Sequence, residues 1–105
     1  KLKKNDYLTT FQSRFGPDEW LQPYTDKTLE ELPKKGIKKI QIISPGFSSD
    51  CLETLEELGV ENKEIFISSG GESYNYIKCL NDKQQHLKML SLLIMNHIKG
   101  WQQNK

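Results

Sequence analysis

The sequence predicts an α/β fold: a three-layer parallel sheet with flanking helices, in the order β-α-β-α-β-α. Three observations lead there. Stretches rich in β-branched and aromatic residues alternate with stretches whose apolar residues recur at helical spacing. The stretch KIQIIS, residues 39–44, carries the β-branched, apolar-rich run IQII and is the clearest strand in the sequence. The strict alternation of the two kinds dictates right-handed crossovers and parallel pairing.

Residues 1–6, KLKKND, form a charged lead-in with no apolar stretch behind them of the kind a signal peptide carries. YLTTFQ, residues 7–12, reads as the first strand. Residues 13–24, SRFGPDEWLQPY, hold a glycine, two prolines and a tryptophan, and read as a long loop. Thr25 or Asp26 caps a helix running to about Lys35, with Leu29 and Leu32 on one face and Gly36 as its stop. Pro33 in its last turn predicts a kink or an early end. Residues 39–44 form the second strand. Asp50 opens the next helix, in which Leu52, Leu55, Gly59, Asn62, Phe66 and Ser69 recur at helical spacing. EIFI within it, residues 64–67, also fits a strand. Gly70 and Gly71 close this segment, and SYNYI, residues 73–77, reads as the third strand. Asp82, with Gln85 three residues on, makes a capping box for the last helix. There Leu87, Leu90, Ile94, His97 or Ile98, and Trp101 follow near-3.6 spacing.

The 105 residues suffice for one small domain. Fifteen basic and 14 acidic residues give a net charge of +1, which implies no grip on nucleic acid and no electrostatic membrane anchor. No apolar run approaches the ~20 residues of a membrane span, so peripheral contact is the most expected of a membrane. Cys51 and Cys79 lack CxxC spacing and fit a reducing cytoplasm. The chain has no initiator Met and is expected to be part of a longer one. Its hydrophobic content, 35%, implies a thin core and apolar surface that belongs against something outside these residues. Neither G-x-G-x-x-G nor a P-loop follows a strand, which argues against a nucleotide-binding domain.

PGFSSDCLETLEE, residues 45–57, places Asp50, Glu53, Glu56 and Glu57 just past the second strand. Open α/β sheets bind ligands at such strand ends. Asp50 and Glu53 fit an N-cap and its N3 partner, and the helix dipole favours acid there. That pattern leaves Glu57 unexplained. It lies one turn beyond Glu53 on a face shared with Asp50, where like charges cost roughly 0.2–0.5 kcal/mol. A solvated acidic face accounts for the cluster, and so does a site for a divalent cation or a proton.

FQSRFGPDEWLQPYTD, residues 11–26, and SPGFSSDCLETLEEL, residues 44–58, resemble the signature segments of protoheme ferrochelatase of the bacterial type. The similarity continues through GGESYNYIKCLND and covers roughly residues 7–97. It implies that residues 7–105 are the C-terminal portion of an enzyme with two α/β halves and a cleft between them. That enzyme inserts Fe2+ into protoporphyrin IX, the last step of heme biosynthesis, and releases two protons. By the resemblance, Glu53 falls on the family's essential glutamate. It is the expected catalytic group, a metal ligand or proton acceptor facing the porphyrin, with proton affinity raised by neighbouring carboxylates. Glu57 and Asp50 fall on the acidic line beside it and are expected to lead metal in or protons out. Trp20 and Phe47 match aromatic residues of the porphyrin pocket, and Gln12 and Ser13 match the strand end beneath it. Fe2+ is expected as substrate, with no prosthetic group. No iron–sulfur cluster is expected, because the sequence ends WQQNK without further cysteines. The family's catalytic histidine lies upstream of these residues; His86 and His97 on the last helix are surface or packing residues. Cys51 stands where many relatives have histidine. The expected partners are protoporphyrin IX, Fe2+ and the missing N-terminal portion, without which the chain is expected to be inactive. The competing readings are a chelatase for coproporphyrin III or cobalt, and a non-catalytic α/β ligand-binding module.

Overall fold

The structure, a computed structural model, describes residues 1–101; residues 102–105, most of the tail behind the iron–sulfur expectation, lie outside the described residues. Strand β1 (Lys39–Ile43) and strand β2 (Ser73–Ile77) pair in parallel, Lys39 opposite Ser73 through Ile43 opposite Ile77. Helix α1 (Thr25–Glu31) precedes them. The crossover between them is a π-helix (Glu53–Glu61) that runs into α2 (Asn62–Ser68). Helix α3 (Gln84–Ile98) follows β2. The α/β class, the parallel pairing and the flanking helices are therefore as the sequence predicts.

One face of the pair carries the core. Ile40, Ile42, Tyr74 and Tyr76 alternate with exposed residues and pack with Leu29, Leu32, Ile65 and Phe66. The Phe66 and Tyr74 rings stand 5.9 Å apart and tilted. The buried Tyr74 hydroxyl donates to the Leu58 carbonyl at 2.6 Å. Gly71 is required here: a Cβ on it would lie 2.3 Å from the Phe66 ring.

Four local expectations change, and one, at Pro33, is met. Residues 7–12 are extended but make one parallel bridge, Phe11 with Tyr24, rather than a third strand. Only Phe11 finds backbone partners, Pro23 and Thr25. Tyr24, not Thr25 or Asp26, occupies the cap of α1, and Thr25 instead donates to Thr10. As Pro33 foretold, the α-helix stops at Glu31, and Pro33–Lys35 wind as a tighter 3-10 turn closed by Gly36 at φ 87°. The segment after Asp50 is helical throughout, with no strand at 64–67, but its first nine residues are a π-helix. Its wider turn moves the buried line to Thr54, Leu58, Asn62 and Phe66, leaving Leu52 and Leu55 exposed. Finally, α3 starts at Gln84 behind Lys83 with no side-chain cap, so the Asp82 box does not form. Within α3 only His86 is buried, its ring Nδ1 2.6 Å from the Asn81 carbonyl.

Candidate functional site at the strand ends

Three loops meet at the carboxyl ends of β1 and β2, and Gln12 joins two of them to the π-helix. Its side-chain oxygen accepts from the Ser44 hydroxyl at 2.9 Å, just past β1. Its amide nitrogen donates to the Glu53 carbonyl at 2.8 Å, in the first turn of the π-helix. Its backbone carbonyl accepts from the Trp20 indole N–H at 3.2 Å. Ser13 follows at φ 60°, a left-handed conformation that turns both its N–H and its hydroxyl onto the Glu57 carboxylate, each at 2.7 Å. Glu57 thus accepts two charge-assisted bonds, on the wall of an open hollow of ≈ 310 Å³ shared with Tyr24 and Asn62.

Asp50 is equally committed. Its carboxylate accepts from the Tyr76 hydroxyl, from Thr54 Oγ1 at 2.9 Å and from Asn81 Nδ2 at 2.8 Å. The bond from Tyr76, then that from Asn81, holds this carboxyl far below the usual range against the opposing effect of burial. Burial, reinforced by the Asp50 bond, raises Tyr76 in turn.

Glu53 is different. Its side chain is exposed in the first turn of the π-helix, and its carboxyl is lowered by the Cys51 thiol and by its own backbone N–H. The raised proton affinity expected from crowding is not found, because the carboxylates of Asp50 and Glu57 are aimed at other partners. The N-cap pattern is absent too: Leu52 stands at the cap, and the Asp50 N–H donates to Asn81 Oδ1 at 2.8 Å. Among the described residues no three His, Cys, Asp or Glu side chains are grouped to hold a metal. Asp50, Glu53 and Glu57 are therefore not gathered into one ligand set, and Glu53 alone of the three remains exposed.

Gln12, Ser13, Trp20, Glu53 and Glu57 belong to one bonded assembly. Trp20 is partly exposed beside Glu19, Leu21 and Gln22, around an open hollow of ≈ 620 Å³. Phe47 is half-buried in the turn after β1, where its N–H donates to the Ser44 carbonyl at 3.2 Å. Sequence reasoning missed Thr54, Tyr76 and Asn81, and it missed the π-helix, a rare geometry that occurs frequently at functional sites. The polar residues Thr54 and Asn62, four and eight places along from Asp50 and Thr54 respectively, were the available signal.

The family model described as Ferrochelatase matches residues 1–98. The chain is 61% identical over 100 residues to a protein named ferrochelatase from Idiomarina loihiensis, covering 95% of this chain and 28% of that protein. Against the ferrochelatase of Pseudoalteromonas atlantica it is 54% identical over 101 residues, 96% of this chain and 28% of the relative. Against that of Vibrio cholerae it is 55% identical over 93 residues, 89% of this chain and 29% of the relative. The chain thus spans less than a third of the length of these relatives.

Proposed function

The chain belongs to the ferrochelatase family, and from that premise we propose that it is the C-terminal portion of an enzyme inserting Fe2+ into protoporphyrin IX to form protoheme. In this reading residues 7–105 form one wall of a porphyrin cleft, behind the lead-in at residues 1–6. The enzyme is a lyase-class metal chelatase of the cytoplasm. None of the described helices is long and apolar enough to cross a membrane. The observation that carries the reading is Glu53: an exposed carboxylate at the carboxyl end of a parallel sheet, on a π-helix whose first turn Gln12 and Asp50 tie down.

Metal insertion needs a base on one face of the macrocycle to take the pyrrole protons. It needs oxygen ligands to replace the waters of Fe2+ as ring nitrogens take over, and a pocket that favours the bent ring. Glu53, ionised at neutral pH, serves as transient Fe2+ ligand or proton acceptor. Porphyrin and the facing wall cover it in the complex, and that burial raises its proton affinity toward neutrality. Trp20 and Phe47 supply apolar surface for the ring, and Gln12 and Ser13 shape the floor. Glu57 acts from beside Glu53, where metal enters or protons leave, and Asp50, its carboxylate bonded to Tyr76, Thr54 and Asn81, supports the turn that carries Glu53.

The test is metal insertion by the full-length enzyme, with protoporphyrin IX and coproporphyrin III each offered Fe2+ and Co2+. The reading expects the fastest turnover with protoporphyrin IX and Fe2+. Preference for coproporphyrin III or cobalt supports a related chelatase instead. Porphyrin binding with no insertion of either metal supports a non-catalytic binding module.

A further inference from the structure

The loops that leave β1 and β2 lie side by side, and one side chain joins them. Asn81, in the loop after β2, sits at φ 51°. Its Oδ1 accepts from the Asp50 N–H at 2.8 Å, and its Nδ2 donates to Asp50 Oδ2 at 2.8 Å and to the Cys79 carbonyl at 3.1 Å. Its own N–H donates to the Ser48 carbonyl at 3.0 Å, and its carbonyl faces the ring nitrogen of buried His86 at 2.6 Å. Every polar group of Asn81 is thereby used. Asp50, gripped at both its backbone and its carboxylate, accepts from the hydroxyl of Thr54, which in turn accepts from the Cys51 N–H at 2.9 Å. Thr54 is fully buried and directly follows Glu53. The exposed Glu53 is aimed by its backbone, and that backbone is held on one side by Gln12 and on the other by this chain of bonds.

We propose that Asn81 is a positioning residue for Glu53: through Asp50 and Thr54 it fixes the first turn of the π-helix and so the direction in which the Glu53 carboxylate leaves it. The proposal rests on the reading of Glu53 as the group that faces the porphyrin. It assigns Asp50 to the same lock rather than to the metal. Misplacement of a reacting group by about 1 Å costs on the order of 100-fold in rate, so a loosened lock shows in kcat before it shows in binding.

The substitution of choice is Asn81→Gly, because glycine keeps the left-handed backbone while removing both side-chain bonds to Asp50. In the full-length enzyme, N81G is expected to lower kcat for iron insertion roughly 10- to 100-fold, with KM for porphyrin and Fe2+ little changed. D50N is expected to do the same, and the double variant to be no worse than the poorer single, as members of one unit behave. Hydrogen exchange of the amides at residues 52–56 is expected to rise in N81G. A wild-type kcat in N81G, measured well below its unfolding temperature, overturns the proposal, whatever happens to stability. So does a D50N enzyme with raised KM for Fe2+ beside an N81G enzyme without it, which makes Asp50 a metal contact. Should N81G fail to fold, Y76F removes one donor from Asp50 and is judged by the same readouts. E53Q measured in parallel separates two failures. Insertion lost in E53Q but intact in N81G sinks this proposal alone, whereas insertion intact in E53Q sinks the reading on which it rests.

Discussion

Asp50 spends its carboxylate on Tyr76, Thr54 and Asn81, and that commitment couples its ionisation to folding. Its pKa in the folded chain lies below its unfolded value. The stabilisation it gives is therefore fully present above ~4, the ordinary aspartate value, and is lost as pH falls below it. D50N should unfold more easily than wild type at pH 7, and the gap should begin to narrow near pH ~4 and go on narrowing as the pH falls further; thermal unfolding from neutral pH down into that acid range measures it. The acid itself was legible in the sequence as a residue that organises the start of a helix. Its partners were not, since Tyr76 and Asn81 lie 26 and 31 residues away and pair with it only once the two strands align. For the same reason Glu57 read as a member of an acidic face: its partner, Ser13, is 44 residues distant. Glu53 was found by motif, but its exposure and lowered pKa come from the directions its neighbours take, which spacing does not encode.

The crossover element shows where periodicity misleads. A 3.6-residue pattern put Leu52 and Leu55 inward, yet i→i+5 bonding, such as Asn62 N–H to the Glu57 carbonyl, turns the chain less per residue. The line that packs is Thr54, Leu58, Asn62 and Phe66. Two glycines beside this line differ in tolerance. At Gly71 a Cβ would fall 2.3 Å from the Phe66 ring and 2.7 Å from the Phe66 carbonyl, and that backbone has no room to yield. Gly71→Ala should destabilise by about 1–3 kcal/mol, as overpacking does. At Gly59, within the π-helix, the same Cβ would meet only ordinary contacts at 3.5 and 4.0 Å. Gly59→Ala should be neutral, or stabilising by up to ~1 kcal/mol. Denaturant unfolding of both variants checks the contrast. The strands β1 and β2 were legible because β-branched and aromatic runs need no distant information. Residues 7–12 have the same composition and still make only one bridge, because a strand exists only where a neighbour lies alongside.

The whole chain, as described, is extended: its radius of gyration is 18.2 Å, against roughly 13 Å for a compact domain of 100 residues. Helix α3 also lies open, with Leu92, Leu93, Ile94 and Met95 all more than half exposed. A helix apolar on most sides is normally buried. The open face of the sheet adds Ile43, although parallel sheets are ordinarily covered on both faces. The low hydrophobic content already pointed to surface completed from outside these residues, and the relatives, more than three times as long, agree with that. The 105 residues alone are therefore expected to insert no iron and to bind a hydrophobic dye strongly, while the full-length enzyme inserts iron and binds the dye weakly. Dye fluorescence and an insertion assay on the two proteins test this; turnover by the short chain would show that it needs no second wall.

The most direct measurement is made on Glu53→Gln in the full-length enzyme: porphyrin affinity by absorbance titration, then the rate of Fe2+ insertion. The account predicts porphyrin bound about as tightly as by wild type, with insertion lost. Insertion at a near-normal rate would contradict it.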